Sequence, residues 1–189
     1  MAVDIAIATD QAVGDIIDAL QDNLSTELSS VAIAGLPLDA PASSAYYSIQ
    51  RSQRIVDEVR QNHEIFVLVY QTSPTTFETR YTKSVNTGGA LRTVNIGVSV
   101  LYRVAMFTPF THYGKTLTTQ DVETLRGHRY NAGVINALYK YANAGSAILR
   151  ADLVSDWAAA ELAPGTKGTL GIAETIWEIT QDVNVPNPQ

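Results

Sequence analysis

The chain has 189 residues, 46% of them hydrophobic, which matches one domain with ample apolar material for a core. A formal net charge of −6, with 13 Lys and Arg scattered along the chain, disfavours nucleic-acid binding as the main task. The absence of cysteine excludes disulfides and thiolate metal sites, and no window reaches the ~20 uncharged apolar residues that span a bilayer. The opening Met1-Ala2-Val3-Asp4 lacks the basic and apolar stretches of a secretion signal.

In chain order, residues 10–24 place Val13, Ile16, Ile17, Leu20 and Leu24 at helical spacing, with Asp15, Asp18 and Asp22 turned outward. Thr9 or Asp10 caps this helix. Residues 31–36 form an apolar run closed by Gly35, Pro37 and Pro41, either a short strand or a packed loop. Residues 43–62 are read as a helix lined by Tyr46, Ile49, Val56 and Val59. The uninterrupted run 65–70 is a strand buried on both faces. Residues 76–85 alternate as a second strand, and Asn86-Thr87-Gly88-Gly89 turn the chain back.

The returning strand, 93–107, is the strongest pattern in the chain. Val94, Ile96, Val98, Val100, Tyr102, Val104 and Met106 lie on one face at period two. Such length predicts a hairpin that projects beyond the core. A helix starts at Thr118 or Thr119, with Asp121 and Glu123 in its first turn. It points Val122, Leu125, Ala132, Ile135, Leu138, Tyr139 and Ala142 inward. Residues 153–162 are read as a short helix around Trp157, and 172–183 as a final strand with Trp177 and Ile179 opposite Glu174 and Glu178. The expected fold is α+β: an antiparallel sheet with a long hairpin, packed on two main helices. Residues 1–183 form the single domain, and 184–189 a flexible tail with two prolines.

No catalytic constellation emerges. His63, His112 and His128 stand apart from one another and from acids at metal-ligand spacing. Ser99 lies mid-strand, without the sharp turn of a nucleophile elbow. Gly114-Lys115-Thr116 ends like a phosphate loop, but Pro109 stands where the earlier glycine must be. Asp152 with Asp156, and Glu174 with Glu178, read as solvated face residues. The expectation is therefore a protein that is not an enzyme, with no cofactor and no metal. What remains is the other side of the long strand, which is poor in charge: Thr93, Asn95, Gly97, Ser99, Leu101 and, near its end, Arg103. A flat surface of this kind is covered either by other segments of the chain or by identical neighbours. The second reading makes Arg80, Asn86, Thr87, Gly88, Gly89, Arg92, Asn95, Leu101 and Arg103 the candidate interface. Tyr46, Tyr47, Tyr113 and Tyr130 suit such contacts wherever they are exposed.

The order of helix (10–24), strand and hairpin (65–106), helix (119–142) and last strand (172–183) resembles the tail terminator and tail-completion proteins of tailed bacteriophages. The resemblance covers most of the chain and rests on pattern and size, because the family has no invariant short motif. It implies a virion protein, made in the host cytoplasm, that forms a ring with itself, commonly a hexamer. Such a ring caps the tail tube protein and presents a docking face to the head-side connector or stopper. Viral DNA passes through without specific binding, and no membrane is involved. Two other readings stand beside it: another neck or tail component (connector, stopper or tube subunit), and a small enzyme or ligand-binding domain.

Overall fold

A computed structural model describes residues 3–4, 8–48, 64–72, 76–80, 88–103, 110–142, 148–161 and 170–185. The first helix, α1 (Ala8–Val31), runs a full two turns beyond the expected end because Leu28 continues its stripe. Ala12, Ile16, Ala19, Leu20, Leu24 and Leu28 are all buried at three- and four-residue steps. The chain then turns at Gly35, where φ is 81° and the Leu36 amide donates to the Ile33 carbonyl. A 3-10 turn (Ser43–Ala45) leads into the short strand β2 (Tyr46–Tyr47). Tyr46, expected to line a helix over 43–62, is thus in a strand, paired with Val67, and residues 49–62 of that expected helix lie outside the described residues.

The sheet is built from β1 (Val3–Asp4), β2, β3 (Ile65–Gln71), β4 (Thr76–Arg80), β5 (Gly88–Arg103), β8 (Ile148–Glu161) and β9 (Leu170–Val185). Its long ladders are antiparallel, and the short β1–β9 and β2–β3 pairs at its margins are parallel. The long strand is central: β5 pairs with β9 along all of its described length and with β3 and β4 on its other side. β9 extends to Val185, so Asn184 and Val185 belong to the sheet, where they oppose Gly89 and Gly88. A separate hairpin, β6 (Phe110–His112) and β7 (Lys115–Leu117), precedes α2 (Thr119–Ala142).

Helix α2 starts where the sequence places it. Thr118 Oγ1 accepts from the Asp121 amide at 3.2 Å, and the Asp121 carboxylate accepts from the Thr118 amide at 3.2 Å. This reciprocal capping box satisfies two donors at the helix start. Its buried stripe is Val122, Tyr130, Val134, Ala137 and Leu138, one position out of phase with part of the expectation. Tyr139, expected inside, is 43% exposed and meets Trp177 edge-on. The helices touch closely where a Cβ on Gly133 would come within 2.7 Å of the Leu28 side chain. Lys140 on α2 pairs with Glu27 on α1.

Both helices cover one face of the sheet, against Val67, Val69, Val94, Ile96, Val98, Val100, Tyr102, Ala173, Trp177 and Ile179. The opposite face carries a smaller apolar cluster of Ala45, Phe66, Leu68, Leu101 and Ile172. Burial of β3 on both faces follows, as its uninterrupted run predicts.

The segment around Trp157 corrects the sequence reading. Leu153 and Trp157 stand four apart amid alanines, which imitates a helix, yet the segment is strand β8, paired with β9 from Ile148 to Glu161. A bulge between Leu153 and Ser155 breaks the period-two pattern that would have revealed a strand. The ladder with β9 outweighs the helical propensity of Ala158, Ala159 and Ala160.

Candidate functional site

On the face away from the helices, β9 directs Glu174 into the small apolar cluster. Ser99 on β5 and Trp157 on β8 lie directly opposite it. Glu174 Oε2 accepts from Ser99 Oγ at 2.7 Å and from the Tyr70 hydroxyl, while Oε1 accepts from Trp157 Nε1 at 2.8 Å. Ser99 is fully buried, and Glu174 nearly so. Tyr70 reaches the carboxylate by crossing Gly97, where a Cβ would stand 2.7 Å from the ring. Bonds to an ionised acceptor are stronger than neutral ones. The arrangement ties β3, β5, β9 and β8 together through one buried group. Its donors fill both oxygens, so the carboxylate acts as a pin.

Two steps along the same face, Asp152 and Glu178 stand directly opposite each other. Like charges in this position repel, and the fold retains them. β8 itself forms a margin of the sheet: among the described residues it pairs with β9 alone. Along it Val154 is 58% exposed and Trp157 37%.

A cleft of about 450 Å³ opens between residues 37–42, the start of β3, the end of β5 and α2. Its walls include Ile65, Tyr102, Arg103, Arg126 and Tyr130, with Asp39 and Glu64 at hand. Tyr102 donates to the Glu123 carbonyl at 2.9 Å and Tyr130 to the Asp39 carbonyl at 3.2 Å. Burial raises both phenols far above their ordinary range, and the nearby charges of Glu123 and Asp39 add to the effect. Arg126 pairs with Glu123 at 3.4 Å, and its Nε is buried without a hydrogen-bond partner. Burial raises the Glu123 carboxyl pKa more than Arg126 lowers it.

The β6–β7 hairpin projects Tyr113, which is 94% exposed. His112 and Lys115 pair, leaving Tyr113 and Gly114 as the two central turn residues at φ 47° and 74°. Positive φ at both places marks a type I′ turn, where Asn-Gly is the common solution. The His112 ring leans on Tyr113 with centroids 4.3 Å apart.

Comparison with protein-family models finds no match to this chain, and comparison with curated proteins finds none either.

The structure scatters the residues expected from sequence to form an interface. Arg80, Gly88 and Gly89 meet at one end of the sheet, where Gly89 opposes both Arg80 and Asn184. Asn86 and Thr87 lie outside the described residues. Arg92 and Leu101 are corrections. Arg92 is 3% exposed because its even position turns it to the helix-bearing side, near Asp10 of α1. Leu101 has no exposure because Phe66, Leu68 and Ile172 enclose it. Asn95 is half-buried on the second face, and its carbonyl accepts from the Thr72 amide at 2.9 Å. Arg103 sits at the other end of β5, exposed, 3.6 Å from Glu64 at the cleft. Of the tyrosines, Tyr130 is buried, Tyr46 and Tyr47 are half-buried, and Tyr113 is open to solvent. His112 belongs to the hairpin, His128 is exposed on α2, and His63 lies outside the described residues.

Sequence reasoning missed Glu174, taking it for a solvated residue. The signal was present. A β3 strand buried on both faces requires cover on the second face, and β9 alternation puts Glu174 there.

Proposed function

We propose that this chain is a virion structural protein that assembles with copies of itself into a ring, commonly a hexamer, at a head–tail junction. The ring ends the tail tube, meets a head-side connector or stopper, and lets DNA pass. The observation that carries this reading is the β8 margin. A 14-residue strand that, among the described residues, pairs with β9 alone and has Val154 and Trp157 exposed offers an edge to a neighbour, with α2 capping part of it where Asn131 donates to the Trp157 carbonyl. Its bulge and the acids Asp152 and Asp156 discourage indiscriminate pairing, which reserves the edge for a matched partner. The order of elements resembles that of phage tail terminators and supports the particular ring.

Native mass spectrometry and light scattering of the purified chain test assembly, with a closed multimer as the expected species. Mass spectrometry of purified particles tests placement, and absence of the chain from them sinks the virion role. Labelling of particles separates the terminator position from that of a connector, stopper or tube subunit.

A further inference from the structure

The proposed ring requires a contact between unlike surfaces, and two features of the chain fit each other as knob and hole. We infer that the Tyr113 tip of one copy seats in the cleft between Arg103 and Arg126 of a second copy, an inference that rests on the ring reading.

The knob is built for display. Tyr113 is 94% exposed at a position where a left-handed backbone favours Asn or Gly, so the aromatic ring is held there against local preference. Phe110 anchors the hairpin base against Leu36 and Val122, and His112 stacks between Phe110 and Tyr113. The tip is therefore presented from a packed base.

The hole has complementary chemistry. About 450 Å³ lies in the range of sites that enclose small ligands, roughly 300–1,000 Å³. Pro37, Ala40, Ala42 and Ile65 give apolar contact for a ring. Arg103 and Arg126 give guanidinium planes for its face. Asp39 or Glu64 accepts a hydrogen bond from the phenol. A single tyrosine buries roughly 150–250 Å². Stable interfaces bury about 1,200–2,000 Å², so Tyr113 is an anchor inside a larger contact and does not hold the ring alone.

The natural chain has no cysteine, so engineered ones report on proximity without background. One full-length variant carries Lys115→Cys, which keeps Tyr113 at the tip, and another Ala42→Cys; both sites are on the surface. Mixed, assembled and mildly oxidised, they are expected to give a disulfide-linked heterodimer in several-fold excess over either homodimer. In parallel, Tyr113→Asn keeps the turn and is expected to weaken self-association at least tenfold. A multimer that forms normally with Tyr113→Asn and yields no heterodimer overturns the knob-and-hole contact while leaving the ring intact. A chain that stays monomeric at every concentration overturns both.

Discussion

Replacing Glu174 by alanine removes the group that joins four strands, and its cost can be worked from the contacts. A hydrogen bond to a charged group contributes about 1.5–3 kcal/mol. Three such donors converge on Glu174, but they do not all become orphans. The Tyr70 and Ser99 hydroxyls are already 3.2 Å apart and pair with each other. Trp157, 37% exposed, has access to water. The net loss is therefore close to one charge-assisted bond, about 2 kcal/mol, plus about 0.8 kcal/mol for one buried methylene. Glu174→Ala should destabilise the fold by about 3 kcal/mol. Glu174→Gln keeps the volume and one acceptor and should cost about 1–2 kcal/mol. Urea unfolding followed by tryptophan fluorescence measures both, with Trp157 and Trp177 as the two reporters. Equal costs for the two variants, or less than about 1 kcal/mol for alanine, would refute the pin.

Two glycines should respond in opposite directions. At Gly171 a Cβ would lie 2.2 Å from the buried Tyr102 ring, whose hydroxyl is tied to Glu123, so Gly171→Ala should cost about 2–3 kcal/mol in thermal melts. At Gly14, inside α1, a Cβ meets nothing within 4 Å, and Gly14→Ala should stabilise by about 0.5–1 kcal/mol. Glu123 sets a pH dependence. Its folded pKa is raised by burial, so its contribution to stability is present below the ordinary value of 4.5 and is lost as pH rises through the raised value. Urea titrations from acid to neutral pH should show wild type losing stability relative to Glu123→Gln, and parallel curves would contradict this assignment.

The elements that were legible in sequence share one property: their pattern follows from a single face. The stripe of α1, the period-two face of β5 and the start of α2 at Thr118 or Thr119 each need only one layer of contact. β8 was illegible because its bulge swaps the inward face midway. Ala151 and Leu153 oppose the helix-side residues Ile179 and Trp177, whereas beyond the bulge Asp156 and Ala158 do so with Thr175 and Ala173. A reader of periodicity meets two half-strands out of phase, and the four-residue gap from Leu153 to Trp157 then mimics a helical turn. The inward Arg92 was misplaced for a different reason. The strand is read from sequence as starting at Thr93, one residue after Arg92, so the alternation that turns Arg92 to the apolar face is not applied to it. Glu174 differs: its face is assigned correctly but read as solvated, because nothing in its own strand shows that this face is covered, and chemistry decides only what partners must be found there.

The same bulge bears on which assembly the edge permits. In a two-fold antiparallel pair of β8 strands centred on Val154, Leu153 would oppose Ser155 of the second copy, and Asp152 would oppose Asp156. Directly opposed residues in such a ladder share a face. Here they do not: Leu153 and Asp156 follow the helix-side residues of β9, Ser155 and Asp152 the other side. Only half of β8 can keep phase with its own copy, so a symmetric dimer forfeits about half the ladder. The other flank of β5 is interrupted as well. β3 ends opposite Ile96 and β4 begins opposite Thr93, so this side too is in two pieces, with β2 outside β3. Two interrupted margins of one subunit can match each other where two copies of β8 cannot, which favours a head-to-tail contact that propagates to closure. Native mass spectrometry should then show multimers above the dimer. A stable dimer whose β8 amides alone gain protection in hydrogen exchange would defeat this reasoning.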